Sequence, residues 1–134
     1  MKRLIIIPLA LACGLAVAET PRQLIDAYTA EAAAQSAGFR PSAQRGGSFF
    51  AKSFGVSEKM PACVACHTDN PAQAGRHAIT GKEIKPLAPA ANSERFTDTA
   101  KVEKWFRRNC KEVVGRECSP AEKADVVQFL ADQR

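Results

Sequence analysis

Apolar residues recur at helical spacing in several stretches of this chain, set apart by Pro- and Gly-marked turns. Leu24, Ile25, Tyr28 and Ala32 line one side of a helix predicted over 21–37, and Gly38 supplies its stop. Pro41 opens a turn. Residues 44–53 then read as a short second helix with Phe49, Phe50 and Phe54 on its apolar side. A loop over 55–62 leads into a single helical turn at 63–67. A further helix is predicted over about 99–110, capped by Thr97 or Asp98, with Val102, Trp105 and Phe106 on its buried side. The last helix has the clearest start. Ser119 is its N-cap, Pro120 its first residue and Glu122 the third member of a capping box, with Val126, Val127, Phe129 and Leu130 forming its apolar face. Gly46, Phe50 and Phe129 are expected where the first and last helices cross. Between 70 and 98, Pro71, Pro86, Pro89, Gly75 and Gly81 interrupt any periodicity. That predicts a long irregular loop, a feature uncommon unless it wraps something functional. No repeat, low-complexity tract or strand pair is visible. The pattern predicts an all-α domain with one cofactor at its centre.

The N-terminus follows a different logic. Lys2 and Arg3 precede an apolar run from Leu4 to Ala12, and Ala16-Val17-Ala18 offers a small-x-small cleavage site before Glu19. Residues 1–18 are therefore expected to be a cleaved signal peptide, with a domain over 19–134 exported to the periplasm. The apolar run is short for a membrane anchor. Ala10-Leu11-Ala12 is a poor lipidation box for Cys13.

With 134 residues and nine aromatics, the chain has room for one domain with a thin core, which a cofactor or disulfide would reinforce. Cleavage removes two basic residues and no acidic one, which takes the formal net charge from +5 to +3. Lys and Arg are scattered, and no dense basic stripe points to nucleic acid. Lys52, Lys59, Lys82, Lys85, Lys101 and Lys104 suit docking to an acidic redox partner. Beyond the signal the cysteines are Cys63, Cys66, Cys110 and Cys118.

Cys63-Val64-Ala65-Cys66-His67 is a Cys-x-x-Cys-His box, the attachment signature of c-type haem. Two thiols one helical turn apart can add to the two vinyl groups of a porphyrin. The next residue then turns its imidazole to the iron, which makes His67 the proximal ligand. A redox dithiol would want a βαβ setting, and a zinc site a well-spaced second ligand pair; neither is evident. One covalent haem c is the expected cofactor.

An electron-transfer cytochrome c usually closes the far side of its iron with Met or His. Met60 lies three residues before Cys63, on the tether side, and no Met follows His67. His77 is the other histidine. It can serve as a distal ligand from an extended loop, lie in solvent or bond a haem propionate. Arg95, Arg108 and Lys82 are further propionate candidates.

At this point the mature chain resembles the sphaeroides haem protein family, small high-spin monohaem cytochromes c. The resemblance runs over about 21–133. It is carried by Gln23-Leu24-Ile25, Gly46 to Phe50, the haem box, Thr80 to Ile84, Pro86 to Pro89, Arg95 to Asp98, Val102 to Trp105, Arg108-Asn109-Cys110 and Val114 to Cys118. Phe106-Arg107 and Lys111 depart from the family pattern. The resemblance implies a small class I-type cytochrome c fold, with a long loop between the haem box and the penultimate helix. It implies that Asn109 is the distal ligand of ferric iron, labile on reduction, and that Cys110 and Cys118 form a disulfide beside it. Such a loop would stabilise by up to ~2.6 kcal/mol in the chain-entropy model. Otherwise Asn109 would simply cap its helix. The family also implies electrons from a dihaem cytochrome c and a membrane b-type cytochrome. A weak amide ligand released on reduction would let dioxygen, nitric oxide or peroxide bind the reduced iron, and a monomer is expected; reduction of dioxygen or peroxide follows by analogy alone. The competing functions are a six-coordinate carrier ligated by His67 and His77, and a nitric oxide sensor without turnover.

Overall fold

The computed structural model describes residues 18–134; the expected signal peptide lies almost wholly outside the described residues. The elements are α1 (Pro21–Gln35), α2 (Ala43–Ala51), α3 (Val64–His67), β1 (Gly75–Arg76), β2 (Glu83–Ile84), α4 (Thr99–Asn109), a π-helical turn (Cys110–Val114) and α5 (Pro120–Ala131). Among the described residues no helix is long and apolar enough to cross a membrane.

Local chemistry starts each long helix. Thr20 and Gln23 form a capping box ahead of α1, which begins on Pro21. The Ser42 hydroxyl accepts the Arg45 N–H at the start of α2. Asp98, the second of the two expected caps, accepts from the Lys101 N–H at 3.0 Å. Ser119 and Glu122 complete the predicted box at α5. The long segment between box and α4 is less bare than expected. Gly75 pairs with Ile84 and Arg76 with Glu83, a two-residue antiparallel ladder where no strand pair is visible in the sequence. Two residues per strand are too few to show period-2 alternation.

Helices α1 and α2 both lie against α5. The core holds Leu24, Ile25, Tyr28, Phe50, Phe96, Ala124, Val126, Val127 and Leu130. The glycine contact belongs to the second helix, not the first. A Cβ on Gly46 would stand 2.0 Å from the Asp125 carbonyl oxygen and 2.9 Å from Phe129 Cβ, so only glycine lets α2 and α5 meet this closely. The same crossing carries a buried charge. Asp125 is 6% exposed, and its carboxylate accepts from the Ser42 N–H at 2.7 Å and from Arg45 at 2.8 and 2.9 Å. Those donors satisfy the charge and lock the register of the crossing.

Trp105 corrects another expectation. It is 43% exposed, with the Arg108 guanidinium 5.7 Å from its ring centroid. Among the apolar residues of α4, Val102 and Phe106 reach the core cluster as partly buried neighbours.

Gly46→Ala is expected to destabilise the fold by about 2–3 kcal/mol. In a thermal melt that lowers the midpoint by ~10 °C or more, while Ser48→Ala on the exposed side of α2 leaves it within a few degrees. A second expectation concerns acid. The Arg116 guanidinium, 2.6 and 2.8 Å from the Glu122 carboxylate, outweighs burial and, with the Ser119 N–H, holds Glu122 below its ordinary value of 4.5. A carboxyl depressed in the folded state contributes stability in full above its unfolded value, and loses it as pH falls through the folded one. Urea midpoints at pH 7, 5 and 3.5 should therefore fall less steeply for Glu122→Gln than for the parent chain.

Candidate haem site

The box is one tight turn. His67 N–H bonds the Cys63 carbonyl at 3.1 Å and Thr68 N–H the Val64 carbonyl at 2.9 Å. The chain then leaves sharply, because Thr68 has φ 62 and ψ 171, a conformation that side-chain-bearing residues rarely adopt. Its hydroxyl donates to the Asn70 carbonyl at 2.9 Å and accepts the Asn70 N–H at 3.2 Å, which holds the strained residue in place.

Cys110 and Cys118 form a disulfide with Cα atoms 5.7 Å apart, and Cys63 and Cys66 take no part in it. That pairing removes the only second cysteine pair a zinc site could have used. Among the described residues no group of three or more His, Cys, Asp or Glu side chains is placed to hold a metal ion. Burial pushes the Cys63 thiol up to about 11. Burial also pulls the His67 imidazole down to about 4, with the Arg95 guanidinium and His77 acting in the same direction. His67 is therefore neutral near pH 7, the form that ligates iron. Its ring lies 6.0 Å from Phe50, which in turn lies 5.7 Å from Phe129.

The β1–β2 hairpin packs onto the box. A Cβ on Gly75 would lie 2.0 Å from the Cys66 carbonyl oxygen and 3.0 Å from His67 Cα. The Ala78 N–H donates to Cys66 Sγ at 3.3 Å. His77 lies two residues beyond Gly75, and its Nδ1 accepts from the Ile79 and Thr80 N–H groups, both at 3.2 Å. It thus organises a turn docked against the attachment segment itself, which explains its electrostatic effect on His67. Arg95 is held by the Pro86 carbonyl at 2.8 Å and the Lys85 carbonyl at 2.6 Å. Arg108 pairs instead with Glu112 at 3.0 Å, and Lys85 with Glu94 at 3.8 Å.

Asn109 is the last residue of α4, with helical φ −67 and ψ −38. It does not cap a helix end: the coil continues as a π-helical turn through Val114, and Gly115 at φ 81 closes it, its N–H on the Cys110 carbonyl. Among the described residues no side-chain hydrogen bond engages the Asn109 amide. Cys63 and Val64 of the box border the same apolar cluster as Val102 and Phe106 of α4. The sequence reading missed the π-turn, Thr68 and the tight seat of Gly75. Of these only Gly75 left a local trace, as a glycine a few residues beyond the box.

A paired-thiol turn with a neutral histidine, walled by aromatic and aliphatic side chains, suits a flat apolar tetrapyrrole. The donor set defines a c-type haem protein built from helices. The chain matches the model of a family described as a domain of unknown function (DUF1924) over residues 36–130, and it belongs to that family. It is 44% identical to Cytochrome c-type protein SHP of Cereibacter sphaeroides, across 99% of this chain and all of that protein. It is 48% identical to Cytochrome c'' of Methylophilus methylotrophus, over 67% of this chain and 63% of that one. Among solved structures, oxidized SHP, described as an oxygen binding cytochrome c, superposes with a TM-score of 0.77 at 46% identity, covering 85% of this chain and 97% of that one. The crystal structure of oxidized cytochrome c'' gives 0.76 at 40% identity, covering 85% and 94%. The protein is a monohaem cytochrome c, and haem c is its cofactor.

Gly75→Ala should force the hairpin off the box at a cost of about 1–3 kcal/mol. The haem absorption bands should shift with it. Ala74→Ser, one residue earlier and exposed, should change neither the melt nor the spectrum.

Proposed function

We propose that this protein is a periplasmic ligand-binding cytochrome c whose distal ligand, Asn109, leaves the iron on reduction. In this reading Cys63 and Cys66 form the two thioethers and His67 is the proximal ligand. The bound haem supplies a one-electron iron centre with an exchangeable sixth position. Asn109 offers that position a neutral, hard and weak amide oxygen, suited to ferric iron and held poorly by ferrous iron. Dioxygen, nitric oxide or peroxide can then compete for it. A thioether or imidazole would keep the position closed, and Met60 and His77 both belong to the attachment side of the box.

The observation that carries the reading is Asn109 itself, an amide that makes no side-chain hydrogen bond among the described residues and stands at the start of a π-turn. Such turns are frequent at functional sites. The Cys110–Cys118 disulfide stiffens the backbone next to it. The 44% identical SHP is known from a structure described as that of an oxygen binding cytochrome c. A solution structure of cytochrome c'', at 40% identity and a TM-score of 0.72, is described as giving insight into haem-ligand detachment. The reading stops at ligand binding. Beside Asn109 stand Arg108, paired with Glu112, and half of the disulfide. Electron delivery by a dihaem cytochrome c and a membrane b-type cytochrome completes the proposal.

Optical spectra of the ferric, ferrous and ferrous carbon monoxide forms test it. The ferrous protein should be five-coordinate and should shift with the gas; a low-spin ferrous spectrum indifferent to carbon monoxide refutes the reading. Asn109→Ala should raise the azide affinity of the ferric protein by roughly tenfold, the equivalent of ~1.4 kcal/mol of lost competition.

A further inference from the structure

Helix α4 carries Asn109, yet none of its residues is fully buried. It is fastened at separate points instead. At its start, the Glu19 carboxylate accepts from the N–H and the hydroxyl of Thr99. At its end, the Cys110–Cys118 disulfide ties the following turn to the approach of α5. Midway, Glu103 enters a polar cage built by two other helices. Its carboxylate accepts from the Tyr28 hydroxyl of α1 at 2.5 Å, and from Lys123 Nζ of α5 at 3.0 and 2.8 Å.

The cage is more than a surface ion pair. The Lys123 side chain is 17% exposed and Tyr28 is 3% exposed. Lys123 Nζ sits 5.4 Å from the Tyr28 ring centroid and 5.9 Å from that of Phe106. Phe106 meets Tyr28 edge-on at 6.0 Å. One ammonium thus holds both Glu103 and Phe106, and Phe106 lies three residues, under one helical turn, before Asn109. Rotation of α4 about its axis would break three charge-assisted bonds and an aromatic edge contact together. Glu103 itself is 32% exposed, but the Tyr28 hydroxyl and the Lys123 ammonium that bond it are largely withdrawn from water, and a donor so placed is costly to leave unpaired.

We propose that Glu103 is a positioning residue for the distal side: with Tyr28 and Lys123 it fixes the rotation of α4, so that Asn109 meets and leaves the iron by side-chain rotation alone. This rests on the reading of Asn109 as distal ligand. Loosening the cage lets α4 turn, and the amide then competes less well for ferric iron.

The test is azide affinity of the ferric holoprotein, measured for Glu103→Ala, Glu103→Gln and Tyr28→Phe, each with Asn109 and with Asn109→Ala. With Asn109 present, Glu103→Ala should raise the affinity about 3- to 10-fold, an effect typical of coupled neighbours. Glu103→Gln, which keeps an acceptor for Tyr28, should recover part of the change. In the Asn109→Ala background all three should have no effect. An equal rise in both backgrounds, or a lowered melting point with unchanged affinity, overturns the proposal and leaves the cage as a plain tie. If Glu103→Ala fails to load haem, Glu103→Gln and Tyr28→Phe carry the comparison. If Asn109→Ala alone changes nothing, the distal-ligand reading falls first and this proposal with it.

Discussion

The close approach of Gly46 to the Asp125 carbonyl sets the distance between α2 and α5, and the His67 side of the site is built outward from it. With no Cβ in the way, Phe50 can lie against Phe129 on one side and against the His67 ring on the other. The crossing is locked electrostatically as well as sterically. The buried Asp125 receives the N-cap region of α2 and the Arg45 side chain together, so the helices cannot slide without stranding a charge. A shelf of fixed depth results, and on it rests an imidazole that burial keeps neutral.

The attachment turn adds its own constraint. Thr68 takes a strained backbone conformation directly after His67, which throws the chain back so that Gly75 can seat on the Cys66 carbonyl. Only a residue without a side chain fits there. The short ladder that follows, and the His77 turn at its tip, are consequences of this contact rather than independent structure. They account for a histidine that stands near the haem box without facing away from it.

The other wall is organised differently. Helix α4 is amphipathic but rests on the core through partly buried side chains, and its orientation depends on polar and covalent ties at Thr99, Glu103 and Cys110. Burial pulls the Glu103 carboxyl upward, but Lys123 and the Tyr28 hydroxyl more than offset it, so the group stays ionised. Burial, with the same carboxylate, pushes the Tyr28 hydroxyl upward, so the tyrosine stays a donor. One side of the site is thus a tight shelf beneath His67, and the other a helix held by ties rather than by burial.

What the sequence by itself determined is what short-range chemistry encodes. The Cys63 to His67 box needs only its own spacing to hold a haem. The caps at Ser119 and Asp98, the Pro120 start and the apolar faces of α1, α2 and α5 are likewise written within a turn or two of chain. The helical class and the cofactor were legible for that reason, and Asn109 was singled out by family resemblance. The tertiary structure decided the rest. Trp105 fits the apolar row of α4 by period, but its side chain stands out beside Arg108. Gly46 needed Asp125 to show which helix it serves, and Gly75 needed Cys66. The Tyr28–Glu103–Lys123 cage joins residues far apart along the chain, and no local pattern announces a partner that only folding brings within reach.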